Sequence, residues 1–304
     1  MRLVNNMKFA FVVLHYSAVK DTIECIHSLL SNVEYSNYEI VVVDNCCPDD
    51  GLKVLKQEFG KEKKIYFLQT DENLGFARGN NVGYQYAKKE LNADFIILLN
   101  NDTIIEQKDF LDKVIGIYEK DSFAILGPDI LSTEDGEHQN PYEKVDLLNI
   151  RINILFYKFC LMLTHMNLYD PITKSILFIS KTLRGNHRCD INEFWTDSKE
   201  NVKLQGSCLI FSPLYVKKYR GLFDKTFMYV EEDILYYIAQ KENLKMVYSP
   251  DIQVLHKEKS STKSTNNTPK EMKLFYYRNM CKSLNVFLEL TKHYQEEHQA
   301  LQDD

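Results

Sequence analysis

Asp71-Glu72-Asn73-Leu74-Gly75-Phe76-Ala77-Arg78-Gly79-Asn80-Asn81-Val82-Gly83 and, one expected helix later, Asp94-Phe95-Ile96-Ile97-Leu98-Leu99-Asn100-Asn101-Asp102-Thr103 form two halves of one signal. Glycines in the first half allow close backbone approach, and Asn73, Asn80 and Asn81 offer amide donors and acceptors. The second half is a continuous apolar run, too short for a helix, that ends abruptly in polar groups. It reads as a buried parallel strand with ligands at its carboxyl end. Open α/β sheets bind ligands in the crevice outside those ends, so Asn100, Asn101 and Asp102 stand where chemistry is expected. An Asx-rich turn closing a strand would look the same. The surrounding pattern has to decide.

Upstream, Phe9 to Leu14 is apolar, Thr22 to Leu30 has helical periodicity, and Glu39 to Val43 is a second apolar run ending at Asp44. This is a β-α-β unit, which implies a right-handed parallel crossover. Leu52 to Phe59 adds a helix, Ile65 to Gln69 a strand, Asn80 to Leu91 a helix and Phe95 to Leu99 a fourth strand, giving a doubly wound nucleotide-binding half. A helix from Phe110 to Glu119 and a strand from Ala124 to Leu131 continue it. Sheet-like sequence returns at Val202 to Phe211, followed by the Gly221-Leu222-Phe223-Asp224 turn, the acidic Glu231-Glu232-Asp233 and a helix through Lys241. Lys245 to Tyr248 and Ile252 to His256 read as two further segments. A loop over Lys257 to Lys270 and an amphipathic helix from Glu271 to about Tyr294 complete the chain.

Between Asn140 and Trp195 the alternation is lost, and a helical insertion is expected. Its apolar residues include Leu147, Leu148, Ile150, Ile154, Leu155, Phe156, Phe159, Leu161 and Met162, with Arg151, Lys158, Lys174, Lys181, Arg184 and Arg188 among and after them. Such a mixture suits either a flap packed on the core or a contact with an anionic membrane surface. The organisation is therefore 1–135, a nucleotide-binding half; 136–200, the insertion; 201–260, a second half of the same sheet; and 261–304, loop and terminal helix.

Composition narrows the class. The 304 residues carry a net charge of −6, which argues against a nucleic-acid partner. Seven cysteines, Cys25, Cys46, Cys47, Cys160, Cys189, Cys208 and Cys281, lack paired spacing and read as reduced thiols. The start of the chain has no secretory pattern and no segment reaches the length of a membrane span, so a cytoplasmic location is expected.

Taken in order, these motifs resemble the family 2 glycosyltransferases of the GT-A fold, especially rhamnosyltransferase-like enzymes of bacterial surface polysaccharide synthesis. The likeness covers most of 9–135 and 202–260. It rests on Val12 to Leu30, Val41-Val42-Val43-Asp44-Asn45, the Asn73 to Asn81 loop, Leu98 to Thr103, Gly206-Ser207-Cys208, Gly221 to Asp224, Phe227 to Asp233, and His256 with Ser260 and Ser261. It implies a mostly parallel doubly wound sheet with a helical insertion and a C-terminal helix.

The resemblance also implies a chemistry. Asp44 would contact the nucleobase or ribose of a nucleotide-diphosphate sugar, with His15, Tyr16 and Ser17 lining the same pocket. His15 and Ser17 replace the commoner asparagines. Asn73, Gly75, Arg78, Asn80, Asn100, Asn101 and Gly206 would surround the rest of the donor. The family's metal motif appears as Asn100-Asn101-Asp102, with one carboxylate, so a divalent cation, Mn²⁺ or Mg²⁺, would rely on Asp102 and the donor phosphates. His256 would be a further ligand favouring manganese, or an ordinary half-buried histidine. The catalytic base aligns with Glu232, with Glu231 and Asp233 as the one-residue alternatives; all three also suit a helix N-terminus.

The expected activity is transfer of a sugar, with inversion, from a UDP- or dTDP-sugar to a hydroxyl of a glycan or a polyprenyl-diphosphate-linked acceptor at the inner face of the cell membrane. A catalytically silent binding module of the same fold is the alternative. A nicotinamide-dependent oxidoreductase is disfavoured, because Gly75, Gly79 and Gly83 lack the Gly-x-Gly-x-x-Gly spacing and follow the third strand.

Overall fold

The computed structural model describes residues 7–142, 150–168, 194–257, 268–294 and 302. Leu147, Leu148, the 176–183 run, Lys174, Lys181, Arg184, Arg188, Cys189, Ser260 and Ser261 lie outside the described residues.

The first half follows the β-α-β reading. Strands β1 (Phe9–His15), β2 (Tyr38–Asp44), β3 (Ile65–Gln69) and β4 (Phe95–Asn100) alternate with helices α1 (Val19–Asn32), α2 (Gly51–Phe59) and α3 (Gly75–Lys89). They pair in parallel in the order β3-β2-β1-β4. The order reverses at β1, whose Leu14 is in register with Asn100 of β4, so both carboxyl ends open on one crevice. α3 starts at Gly75, earlier than its periodicity suggested.

Beyond β4 the sheet is mixed. β5 (Thr103–Ile104), α4 (Phe110–Asp121), β6 (Ile125–Ser132), α5 (Ile150–His165), β7 (Lys199–Glu200), β8 (Cys208–Phe211), the short α6 (Pro213–Val216), α7 (Glu231–Lys241), β9 (Met246–His256) and α8 (Pro269–Lys292) follow in turn. β8 lies antiparallel between β4 and β6, while β9 is parallel to β6 and antiparallel to β5 and β7. The two segments expected at 245–248 and 252–256 are thus one strand. Its register jumps from Pro128↔Ser249 to Asp129↔Gln253, a bulge that accommodates Pro250, which has no N–H to donate to the ladder.

Strand alternation sends side chains to two apolar layers. Phe9, Phe11, Val13, Val42, Ile97 and Leu99 face α1, α2 and α4 through Ile26, Leu29, Leu55 and Phe110. Ala10, Val12, Val43, Ile96 and Leu98 face α3, α7 and α8 through Tyr84, Ile234, Leu284 and Phe287. Both faces are therefore covered, as a central parallel sheet requires. The six described cysteines are free thiols, and no helix among the described residues is long and apolar enough to cross a membrane.

Candidate active site

A cavity of about 460 Å³ opens over the carboxyl ends of β1 and β4. Tyr16, Asn73, Gly75, Asn100, Asn101, Asp102 and Gly206 line it together with Glu231 and Glu232. Asp102 and Glu231 are 129 positions apart in sequence. They meet because the segment before α7 packs on the start of α3. Gly75 has φ +78°, and a Cβ there would lie 2.0 Å from the carbonyl oxygen of Phe227. The same carbonyl accepts a hydrogen bond from Phe76 N–H at 2.8 Å.

The turn at 73–75 is braced internally. Asn45 Oδ1 accepts from Leu74 N–H at 2.9 Å, Asn45 Nδ2 donates to Asn73 Oδ1 at 3.0 Å and to the Gly75 carbonyl at 3.2 Å, and Asn73 Oδ1 also accepts from Gly75 N–H at 2.9 Å. Its N–H groups at 74, 75 and 76 are thus already engaged, which fixes the shape of the cavity wall. Asn45, beside Asp44, is the residue whose part the sequence reading did not single out.

Asp102 is buried, and neither of its carboxylate oxygens accepts a hydrogen bond from the described residues. A carboxylate withdrawn from water in that way is costly unless something cationic meets it. His256 Nε2 lies 3.3 Å from Oδ1. β5 pairs with the end of β9 in the register Thr103↔His256, and Lys257 N–H donates to the Asp102 carbonyl at 3.0 Å, so sheet pairing sets that juxtaposition. On the far side of the ring, His256 Nδ1 lies 2.8 Å from Gln139 Oε1, which holds the Nε2 edge toward Asp102. One carboxylate and one imidazole held by a second residue are donors of the kind that hold a divalent cation. Gln139 sits where the α/β pattern dissolves, and no sequence signal marked it.

Across the cavity, Glu231 and Glu232 open α7. Burial, with the neighbouring Glu232 second, pushes the Glu231 carboxyl up to about 8. Its Oε1 accepts from Thr226 Oγ1 at 2.9 Å. Burial also raises Glu232, against the backbone N–H of its own helix start and of Gly206, which favour the ionised form. A Cβ at Gly206 would sit 2.6 Å from Glu232 Oε1, so the missing side chain is what lets the carboxylate rest on the backbone. Asp233 is turned aside into an ion pair with Lys203 at 3.0 Å and does not line the cavity. Before the acids, Tyr229 and Val230 have φ of +72° and +75°. Left-handed backbone in a β-branched residue is unfavourable and here turns the chain so that α7 points its first carboxylates inward. α8 holds that turn through Ser283 Oγ, which donates to the Met228 carbonyl at 2.8 Å, and adds Phe275 to the lining.

The remaining sequence candidates lie off this cavity. Asp44 is buried at the end of β2, accepting from Gln69 Nε2 at 3.0 Å and Cys47 N–H at 3.2 Å, and borders an adjoining cavity of about 420 Å³ with Asp49, Lys53 and Lys56. His15 is fully buried, its Nδ1 2.8 Å from Thr22 Oγ1, and burial lowers its pKa. Asn80 donates to the Phe76 carbonyl inside α3, and Arg78 is half exposed, 3.6 Å from Glu72.

An α/β sheet that is parallel through β1 to β4 and mixed beyond, with cavities at the carboxyl ends of β1, β2 and β4, has the GT-A fold. The chain belongs to glycosyl transferase family 2, a family of transferase enzymes, whose model matches residues 11–184. It is 23% identical over 253 residues to the low-salt glycan biosynthesis hexosyltransferase Agl10 of Haloferax volcanii, covering 82% of this chain and 67% of that one. It is 25% identical over 138 residues to the dTDP-rhamnosyl transferase RfbF of Shigella flexneri, covering 45% and 43%. A crystal structure of Staphylococcus aureus TarS superposes with a TM-score of 0.51 at 17% identity, covering 83% of this chain and 37% of that one, which bears on the fold alone.

Proposed function

We propose that this protein transfers a sugar from a nucleotide-diphosphate donor to a hydroxyl of a growing glycan. One observation supports this most: the same cavity holds a buried carboxylate that accepts no hydrogen bond among the described residues, Asp102, on one wall and two carboxyls with raised pKa, Glu231 and Glu232, on the other. Groups so tuned suit proton abstraction near neutral pH. The donor is a UDP- or dTDP-sugar, its nucleoside lying toward Asp44 and its diphosphate toward Asn100, Asn101 and Asp102. A divalent cation at Asp102 and His256 would supply charge neutralisation to the departing diphosphate.

In the transfer, the acceptor hydroxyl oxygen attacks the anomeric carbon from the face opposite the diphosphate. The carbon–oxygen bond to the diphosphate breaks with its electron pair, and the hydroxyl proton passes to Glu232. Configuration inverts. Asn45 and Asn73 hold the donor wall, and Gly206 keeps the base in place. Within this division, 1–135 supplies donor binding and 201–260 the base, while α5 of the 136–200 insertion and α8 of the 261–304 segment flank the cavity on the acceptor side. Relatives named for hexosyl, rhamnosyl and poly(ribitol-phosphate) N-acetylglucosaminyl transfer support an acceptor in surface polysaccharide synthesis, carried here on a polyprenyl diphosphate at the inner membrane face.

Glu232→Gln tests the reading. Turnover falls by roughly two to four powers of ten while donor binding persists. Turnover in the variant equal to that of the wild type overturns the assignment of the base, and a folded wild type that binds the donor without ever turning it over favours a silent module.

A further inference from the structure

Helix α5 has two apolar faces. One, with Ile150, Ile154 and Cys160, is buried, and Tyr157 stacks edge-on to Tyr276 of α8 with ring centroids 5.9 Å apart. The other carries Ile152, Leu155, Phe156, Phe159 and Met162, each about half exposed or more, up to 66% at Leu155, with exposed Met166 just past the helix end. Spacings of three and four residues put the five on one side of the helix, roughly opposite the packed side. A contiguous exposed apolar stripe of this kind marks a contact surface.

The charges beside the stripe say which kind. Arg151 and Lys158 are exposed, seven residues apart along one flank, and α5 contains no acid at all. On a chain of net charge −6 this is a local reversal of sign. An apolar face carrying two phenylalanines, bordered by cations and free of carboxylates, matches a helix lying in the plane of an anionic bilayer. A second copy meeting this stripe with its own would set Arg151 and Lys158 against like charges.

We infer that the outer face of α5 docks this protein on an anionic lipid surface, with Phe156 and Phe159 entering the headgroup boundary. α5 packs along α8, and α8 contributes Phe275 to the cavity. Docking there brings the catalytic crevice beside the membrane, where a lipid-carried acceptor would be presented. The benefit to catalysis rests on the proposed transfer reaction. The docking does not.

The test is cosedimentation of the intact protein with vesicles of phosphatidylcholine alone or containing phosphatidylglycerol, at low and high salt, alongside Phe156→Glu/Phe159→Glu and Arg151→Gln/Lys158→Gln variants. Nucleotide-sugar stabilisation is measured on the same samples, so that a failed transferase reading and a failed docking reading are separable. Wild type binds the anionic vesicles, and salt weakens binding. Losing the two basic residues lowers the partition coefficient roughly fivefold per charge, and the two glutamates reduce binding to background, with nucleotide stabilisation unchanged in both variants. Absence of vesicle binding by folded wild type overturns the inference. So does binding that is indifferent to the glutamates. Sedimentation as a dimer that Phe156→Glu/Phe159→Glu converts to monomer would give the face to a second copy instead.

Discussion

Glu231→Gln separates the buried glutamate from its half-buried neighbour Glu232 and carries a calculable pH signature. The carboxyl is buried and stands at about 8 against an ordinary 4.5, so it stays protonated in the folded chain while the unfolded chain ionises. Its contribution to stability is full below about 4.5 and is lost as pH rises toward 8, because the unfolded state binds fewer protons over that range. At about 1.4 kcal/mol per unit, wild type has given up on the order of 3 kcal/mol by pH 7 and about 5 kcal/mol by pH 9. Glutamine mimics the protonated acid, and its carbonyl can still accept from Thr226 Oγ1. Urea denaturation from pH 5 to 9 is therefore expected to show the variant level with wild type at pH 5 and more stable by several kcal/mol at pH 9. Turnover should survive, since Glu232 retains the base role. Parallel stability curves across the range would refute the buried, protonated Glu231, and a dead variant would move the base from Glu232 to Glu231.

Further expectations concern the cavity wall and the residues around Asp102 and His256. Gly75→Ala meets the Phe227 carbonyl and forces alanine into left-handed backbone, which alone costs roughly 1–2 kcal/mol; denaturation should show a loss greater than that, together with loss of nucleotide-sugar binding. Gln139→Leu removes the acceptor that fixes His256, and Mn²⁺ affinity measured by electron paramagnetic resonance with nucleoside diphosphate present should fall about 10- to 100-fold with the circular dichroism spectrum unchanged. Asp102→Asn should abolish saturable Mn²⁺ binding in the same assay; an unaltered affinity would remove Asp102 from the metal site.

Local sequence carried the first half of the fold because each element there declares itself. Ile65 to Gln69 opens with β-branched Ile65 and aromatic Tyr66 and Phe67, follows them with Leu68, closes on polar Gln69, and emerges as β3 with those same ends. The second half is less legible. An antiparallel strand inserted into a buried sheet has the same apolar run as a parallel one, so nothing in Cys208–Phe211 announces that β8 reverses direction between β4 and β6. The two-residue β5 is too short for any period, yet its pairing with β9 is what brings His256 to Asp102. At the cavity, the loop glycines and the acidic cluster were visible as motifs. The left-handed turn at Tyr229 and Val230 was not, since neither residue favours positive φ and the conformation is imposed by contacts with Gly75 and Ser283. Gln139 and Phe275 reach the site from segments with no local signature, by tertiary packing alone.

The central claim, a metal-assisted nucleotide-sugar site between Asp102 and Glu232, is tested most directly by thermal unfolding. The folded protein is heated with UDP, dTDP, GDP and CMP and their common sugar conjugates, each with Mn²⁺, Mg²⁺ or chelator. The account predicts stabilisation by one nucleotide family, UDP or dTDP, that requires the divalent ion and is lost in Asp102→Asn. Unchanged melting with every nucleotide and metal would contradict it.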